Sequence, residues 1–121
     1  MRSGGVLSLG SNSITVDGGD LFNGGTFNAN TGTVALTASV NQKVNTNGDP
    51  FYNFTMNGTG GATLYDDAEV SNVLTLTQGV VTTNTNKVYV SNSAAAALSG
   101  ASSASFINGN LRRAFATNTD T

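Results

Sequence analysis

The sequence predicts an all-β chain wound as a right-handed parallel β-solenoid, a β-helix with about 20 residues per coil and three short strands in each coil. Three observations lead there. Apolar or near-apolar residues recur in pairs on alternate positions, as in Leu74/Leu76, Val81/Thr83 and Val88/Val90, the period of a strand with one buried face. Between the pairs lie corner residues such as Gln78-Gly79 and Asn84-Thr85-Asn86-Lys87, where Gly and Asn accept positive φ. At an offset of 20 the pattern repeats itself: Ile14, Val34, Phe54 and Leu74 form one column and Val16, Leu36, Met56 and Leu76 another, with Thr15, Ala35, Thr55 and Thr75 between them. A sandwich of antiparallel hairpins gives no reason for a constant offset across four copies. The hand follows from the crossover preference of parallel strands.

Taken in order, residues 1–5 read as a start segment or linker, 6–104 as roughly five solenoid coils, and 105–121 as a closing strand or hairpin with a tail. Leu7/Leu9, Ile14/Val16, Phe27/Ala29, Val34/Leu36, Phe54/Met56, Ala62/Leu64 and Ala68/Val70 supply the inward pairs. Further columns read Leu7, Phe27, Ala68, Val88 and Leu21, Ala62, Val81. Two stretches depart from the rule. In VNQKVNTNGDP, from Val40 to Pro50, only Val40 and Val44 are apolar and Gly48-Asp49-Pro50 signals a turn, so one side of that coil is expected to be a loop. SNSAAAALSGASSAS, from Ser91 to Ser105, is expected to be a narrow extended coil, with a single helical turn near Ala94 to Leu98 as the alternative.

In FINGNLRRAF, Asn108-Gly109 is a hairpin signal, and a chain reversal from Phe106 to Phe115 would cover the last coil. Arg112-Arg113 reads as a guard against unwanted strand pairing rather than as an anion site. GGVLSLGSNSITV at 4–16 also matches QGVVTTNTNKVYV at 78–90 with an offset of 74, which is not a multiple of 20. If both periods hold, the equivalent strands lie on different faces.

Composition agrees with this architecture. Gly, Asn, Ser and Thr make up half of the 121 residues and charged residues only 10%, because corners take Gly and Asn, exposed strand faces take Thr and Ser, and only inward pairs need be apolar. Disordered chains lack such ordered apolar spacing. A net charge of −2, with Arg2, Lys43, Lys87, Arg112 and Arg113 dispersed, offers no basic stripe for nucleic acid. No apolar run reaches the roughly 20 residues of a membrane span, and the N-terminus lacks the pattern of a signal peptide.

Chemistry is sparse. With no His and no Cys, the usual triads, imidazole bases and common zinc sites have no residues to use. Asp66, Asp67 and Glu69 have the oxygen chemistry of a calcium ligand set, but no calcium-loop pattern surrounds them. Asp17 and Asp20 flank Gly18-Gly19 as turn formers. Tyr52, Tyr65 and Tyr89 are the rings available to a glycan. The Thr15, Thr55, Thr75 column has the regularity of an ice-binding array, interrupted at Ala35. We assign no catalytic, cofactor-binding or metal-ligating residue.

GTFNANTGTVAL at 25–36, FYNFTMNGTGGATL at 51–64, LTLTQGVVTTNTNKVYV at 74–90 and SFINGNLRR at 105–113 together resemble repeat modules of large secreted or cell-surface, adhesin-like proteins of Bacteroidota, clients of the type IX secretion system. The resemblance covers nearly the whole chain and supplies no catalytic residue. It implies an extracellular structural or adhesive module with neighbouring modules of the parent chain as partners; surface glycans are a further candidate partner, through the tyrosine rings. The alternatives are a carbohydrate- or ice-binding solenoid and a fragment of a polysaccharide-active β-helix enzyme. Because Val6-Leu7 starts the first coil without a polar cap, that end is expected to fray first and to favour end-to-end association.

Overall fold

A computed structural model describes residues 5–114. The chain forms a parallel β-solenoid of about five turns with about 20 residues per turn. The first coil carries β1 (Val6–Ser8), β2 (Ser13–Val16) and β3 (Leu21–Phe22), and the second β4 (Thr26–Asn28), β5 (Thr33–Leu36) and β6 (Gln42–Asn45). From there strands run round corners: β7 (Phe51–Asn57), β8 (Ala62–Leu64), β9 (Ala68–Gln78) and β10 (Val81–Val90). A single 3-10 turn (Ala95–Ala97), β11 (Leu98–Ser99) and β12 (Ile107–Arg113) complete the last turns. Among the described residues every pairing between strands is parallel, with one isolated antiparallel bridge at Ser102 and Ser105, which excludes the hairpin sandwich.

The coils have three sides. On the second side, β2, β5, β7, β9 and β11 stack so that Ile14, Val34, Phe54, Leu74 and Leu98 lie in one inward ladder. Val16, Leu36, Met56 and Leu76 form the other, and Thr15, Ala35, Thr55, Thr75 and Ser99 face outward between them. Both inward columns read from the 20-residue offset are therefore real ladders, and Leu36, Met56, Leu74 and Leu76 are among the most deeply buried side chains.

The other two sides correct the reading in detail. On the third side Leu21 pairs with Val44, and Val44 with Leu64, whereas Gln42, Ala62, Val81 and Ile107 form the neighbouring ladder. Leu21 is thus two residues out of the column assigned to it, because the corner between Leu36 and Val44 is longer than the one between Val16 and Leu21. The expected loop from Val40 to Pro50 is in fact a corner, the strand β6 and a second corner. Val40 points out, 61% exposed, and Gln42 is fully buried beside Val44. Its Nε2 donates to the carbonyls of Val16 (2.9 Å) and Gly19 (3.0 Å), and its Oε1 accepts from the Ala38 amide. One amide side chain thereby ties together backbone groups of two successive corners, adding to the bond that the Val16 carbonyl already accepts from the Thr37 amide.

On the first side, Leu7 pairs with Phe27 and Ala68 with Val88, but these are two separate runs. Between them the sheet is interrupted. Asn47 and Gly48 turn with positive φ, and the Asp49 carboxylate accepts from the Phe27 amide (2.8 Å) in place of a strand partner. Phe27, Phe51 and Phe54 close the gap with rings 5.9 and 4.7 Å apart.

The reversal predicted at Asn108-Gly109 does not form. β12 adds in parallel to β10, with Val81 opposite Ile107 and Val88 opposite Leu111, and a register shift absorbs Gly109 at φ 131°. The ladder offered by β10 outcompetes the local turn signal; Phe115 and the tail lie outside the described residues. The Ala-rich stretch takes the helical-turn alternative over Ala95–Ala97, with Ala97 buried. Of the start segment 1–5, only Gly5 is described, and its carbonyl accepts from Thr26.

Corners stack backbone on backbone. A Cβ on Gly60 would strike the Val40 backbone, and one on Gly79, at φ 93°, the Gly58 carbonyl, so both positions require glycine. The two stretches matched at an offset of 74 share a local shape, with Gly10 at φ 61° and Asn84 at φ 55°. The first runs along sides one and two and the second along sides three and one, as the unequal periods require.

Candidate functional site

The polar side chains are largely engaged in holding one coil to the next. Asn72 Nδ2 donates to Asn53 Oδ1 (2.8 Å), and Asn92 Nδ2 donates to the Asn72 carbonyl (3.1 Å), an asparagine ladder at one corner. Each carboxylate in the described residues accepts from the adjoining coil. Asp17 takes the Thr37 hydroxyl, Asp20 the Lys43 amide, and Asp49 the Asn23 amide side chain. Asp66 takes the amides of Thr46 (2.8 Å) and Asn47 (2.7 Å), and Glu69 takes the Ser91 hydroxyl (2.8 Å). Asp67 accepts from both Nζ (2.9 Å) and the amide of Lys87, and that double donation holds its carboxyl below the ordinary aspartate range.

The sequence-level calcium candidates are thus separate fasteners rather than a converging set. Among the described residues no three acidic side chains are placed to hold a metal ion. The Thr15, Thr55, Thr75 column does line one outward face, with Ala35 interrupting it. No helix among these residues is long and apolar enough to cross a membrane.

The two ends of the stack differ. At the first coil the inward ladders terminate in Leu7, Ile14 and Leu21, which with Phe22, Phe27 and Phe51 line a cavity of about 280 Å³ at the mouth of the core. Asn23, Asn45, Thr46 and Asp49 rim it. At the other end an inward ladder runs Phe51, Val70, Val90, Arg113, so that it closes on a charge. Arg113 Nη2 donates to the Ala94 carbonyl (3.0 Å), and its Nε is buried without a hydrogen-bond partner among the described residues.

The three tyrosines differ as well. Tyr52 packs against the core, and Tyr89 lies under the Arg112 guanidinium, 5.1 Å from its ring centroid. Tyr65 is 53% exposed and sits beside Phe22, 45% exposed, with ring centroids 6.0 Å apart. Lys43 Nζ stands 5.9 Å from the Tyr65 centroid. Phe22 was not legible as part of this patch, because the two rings are separated by two coils of unequal length. In comparisons with known proteins, no family model, no curated protein and no solved structure matches the chain.

Proposed function

We propose that the chain is a structural or adhesive repeat module of a large secreted or cell-surface protein, stacked on neighbouring modules and without catalysis of its own. One observation carries the reading: the inward ladders end at the first coil in an apolar, open cavity whose lining continues the columns of the core. A further coil laid on that end would extend the ladders and bury Leu7, Ile14 and Leu21. Burial of that kind is worth about 25 cal/mol per Å² of apolar surface. Polar side chains committed to coil-to-coil bonds suit a stalk, whose task is to hold shape under load. The extracellular location belongs to the same proposal and rests on the resemblance of the repeat blocks.

The test joins two copies in tandem and compares their unfolding with that of one copy. Stacking makes the pair melt higher and as one cooperative unit, as expected when interface terms add to repeat terms. Two copies that melt independently at the single-copy temperature would overturn the stacking reading. Retention of the tandem protein on glycan- and matrix-coated surfaces separates an adhesive role from a purely structural one.

A further inference from the structure

We infer that a recess on the outward face of the first side, with Tyr52 as its platform, binds one sugar ring of a neutral polysaccharide; the inference rests on the adhesive role proposed above and names its ligand class. The recess follows from the break in that side's sheet. The third coil turns at Asn47 and Gly48 with positive φ and then meets Pro50, which has no N–H to give a ladder, so β7 starts only at Phe51. A cavity of about 280 Å³ is left there between the second and fourth coils, lined by Asn28, Asn30, Pro50, Tyr52 and Ser71. Phe51 pairs with Val70 and Asn53 with Val73, and that register shift sets Tyr52 beside Ser71. None of these five residues lines the cavity at the mouth of the core, so a coil stacked on the first leaves them open. Phe27 and Asp49 border both, and the Asp49 carboxylate is already bonded to the Phe27 amide.

The free groups in the recess select the ligand. Tyr52 packs against the core, yet its ring, unlike those of Tyr65 and Tyr89, has no aromatic or cationic partner among the described residues. Asn28 Nδ2 donates to Ser8 Oγ (3.1 Å), which leaves its Oδ1 as an acceptor, and Asn30 Oδ1 accepts from the Gly10 amide (3.1 Å), which leaves its Nδ2 as a donor. The Ser71 hydroxyl, exposed and without a partner among the described residues, serves as either. An aromatic plate beside mixed donors and acceptors matches a pyranose, whose face is a sheet of C–H groups and whose edge carries hydroxyls. No Lys or Arg lines the recess and one Asp does, so a polyanion finds no counter-charge there. A volume just under the range of about 300–1,000 Å³ for drug-sized ligands suits a single ring. Stable protein interfaces bury about 800 Å² on each partner, far more than this recess offers.

The experiment titrates the whole chain with cellohexaose, laminarihexaose, xylohexaose and mannohexaose, following amide NMR shifts and tyrosine fluorescence. At least one sugar is expected to bind, with shifts centred on Asn28, Asn30, Tyr52 and Ser71. Tyr52→Ala should weaken binding about tenfold, the loss of one stacked ring, and Tyr52→Phe should retain it. Because Tyr52 also packs on the core, two surface variants carry the test independently of folding. Asn30→Asp keeps the acceptor for the Gly10 amide and tolerates φ 53° but removes the donor, and Ser71→Ala removes a hydroxyl that bonds to nothing else among the described residues. Each should weaken binding about fivefold while the fold is retained. Tyr65→Ala, at the end of the third side, should leave binding unchanged.

No response to any of the four sugars, or binding that neither Asn30→Asp nor Ser71→Ala weakens, would overturn the assignment. So would binding of a hyaluronate hexasaccharide alone, abolished by salt, or Tyr52-dependent capture on a matrix-protein surface without any sugar response. The outcomes are distinct from those of the stacking test. Tandem copies that stack but bind no sugar leave the module reading standing and remove only this site, whereas copies that melt independently while the single chain binds sugar through these residues remove the stacking and keep the site.

Discussion

At the scale of the residue, alternation decides everything. Leu76 is 2% exposed, and Thr77 beside it faces water. Leu76→Asp places an unpaired charge in a core with no partner to offer and is expected to unfold the chain. Thr77→Asp should cost no more than about 0.5 kcal/mol, the ordinary range of a surface substitution. Thermal melts of the two variants check this, and equal melting temperatures would refute the inward assignment. The Asp67–Lys87 pair makes a pH-dependent statement. The folded carboxyl titrates below its unfolded value because Lys87 donates to it twice. Its contribution is therefore present above the unfolded pKa and is lost as pH falls through the folded one. Both groups are exposed, so the effect on stability is small. NMR titration of the Asp67 side chain should show a depressed midpoint that moves up in Lys87→Met.

At the scale of the element, the sequence was most legible where ladder and offset coincide. The second side repeats at 20 residues through β2, β5, β7 and β9, and its columns could be read directly. The third side was misread at Leu21 because a lengthened corner breaks the period, and a polar residue, Gln42, occupies the buried position. Apolar periodicity is blind to an amide that serves as a corner plug. The hairpin at Asn108-Gly109 failed for a related reason. A local turn signal is weaker than a preformed strand edge, which pairs Val81 to Ile107 and Val88 to Leu111. The candidate sites follow the same pattern: the carboxylates were visible as residues, while their use as fasteners, and the meeting of Phe22 with Tyr65, depend on which coils stack. Gln42→Ala removes the side-chain partner of the Gly19 carbonyl and the Ala38 amide, while the Val16 carbonyl keeps the Thr37 amide, and is expected to cost about 1–3 kcal/mol, measured by urea unfolding. Thr63→Ala, on the outward face of β8, serves as the control.

At the scale of the whole molecule, the solenoid is a one-dimensional object with unlike ends. Stability in such a stack is a sum of coil terms and neighbour terms, so a coil with one neighbour opens more readily than a coil with two. Among the described residues the first coil, with Leu7, Ile14 and Leu21 only partly covered, has a neighbour on one side, whereas β9 and β10 lie between stacked coils. Among the described residues one inward ladder reaches Arg113 at the far side, whereas those of the first coil reach Leu7, Ile14 and Leu21.

Amide hydrogen exchange along the single chain tests this most directly. Protection is expected to be lowest at residues 7–16 and highest at 74–90, with protection of 7–16 rising when a second copy precedes it in tandem. Protection at 7–16 equal to or greater than that at 74–90, in a chain that stays monomeric at high concentration, would contradict it.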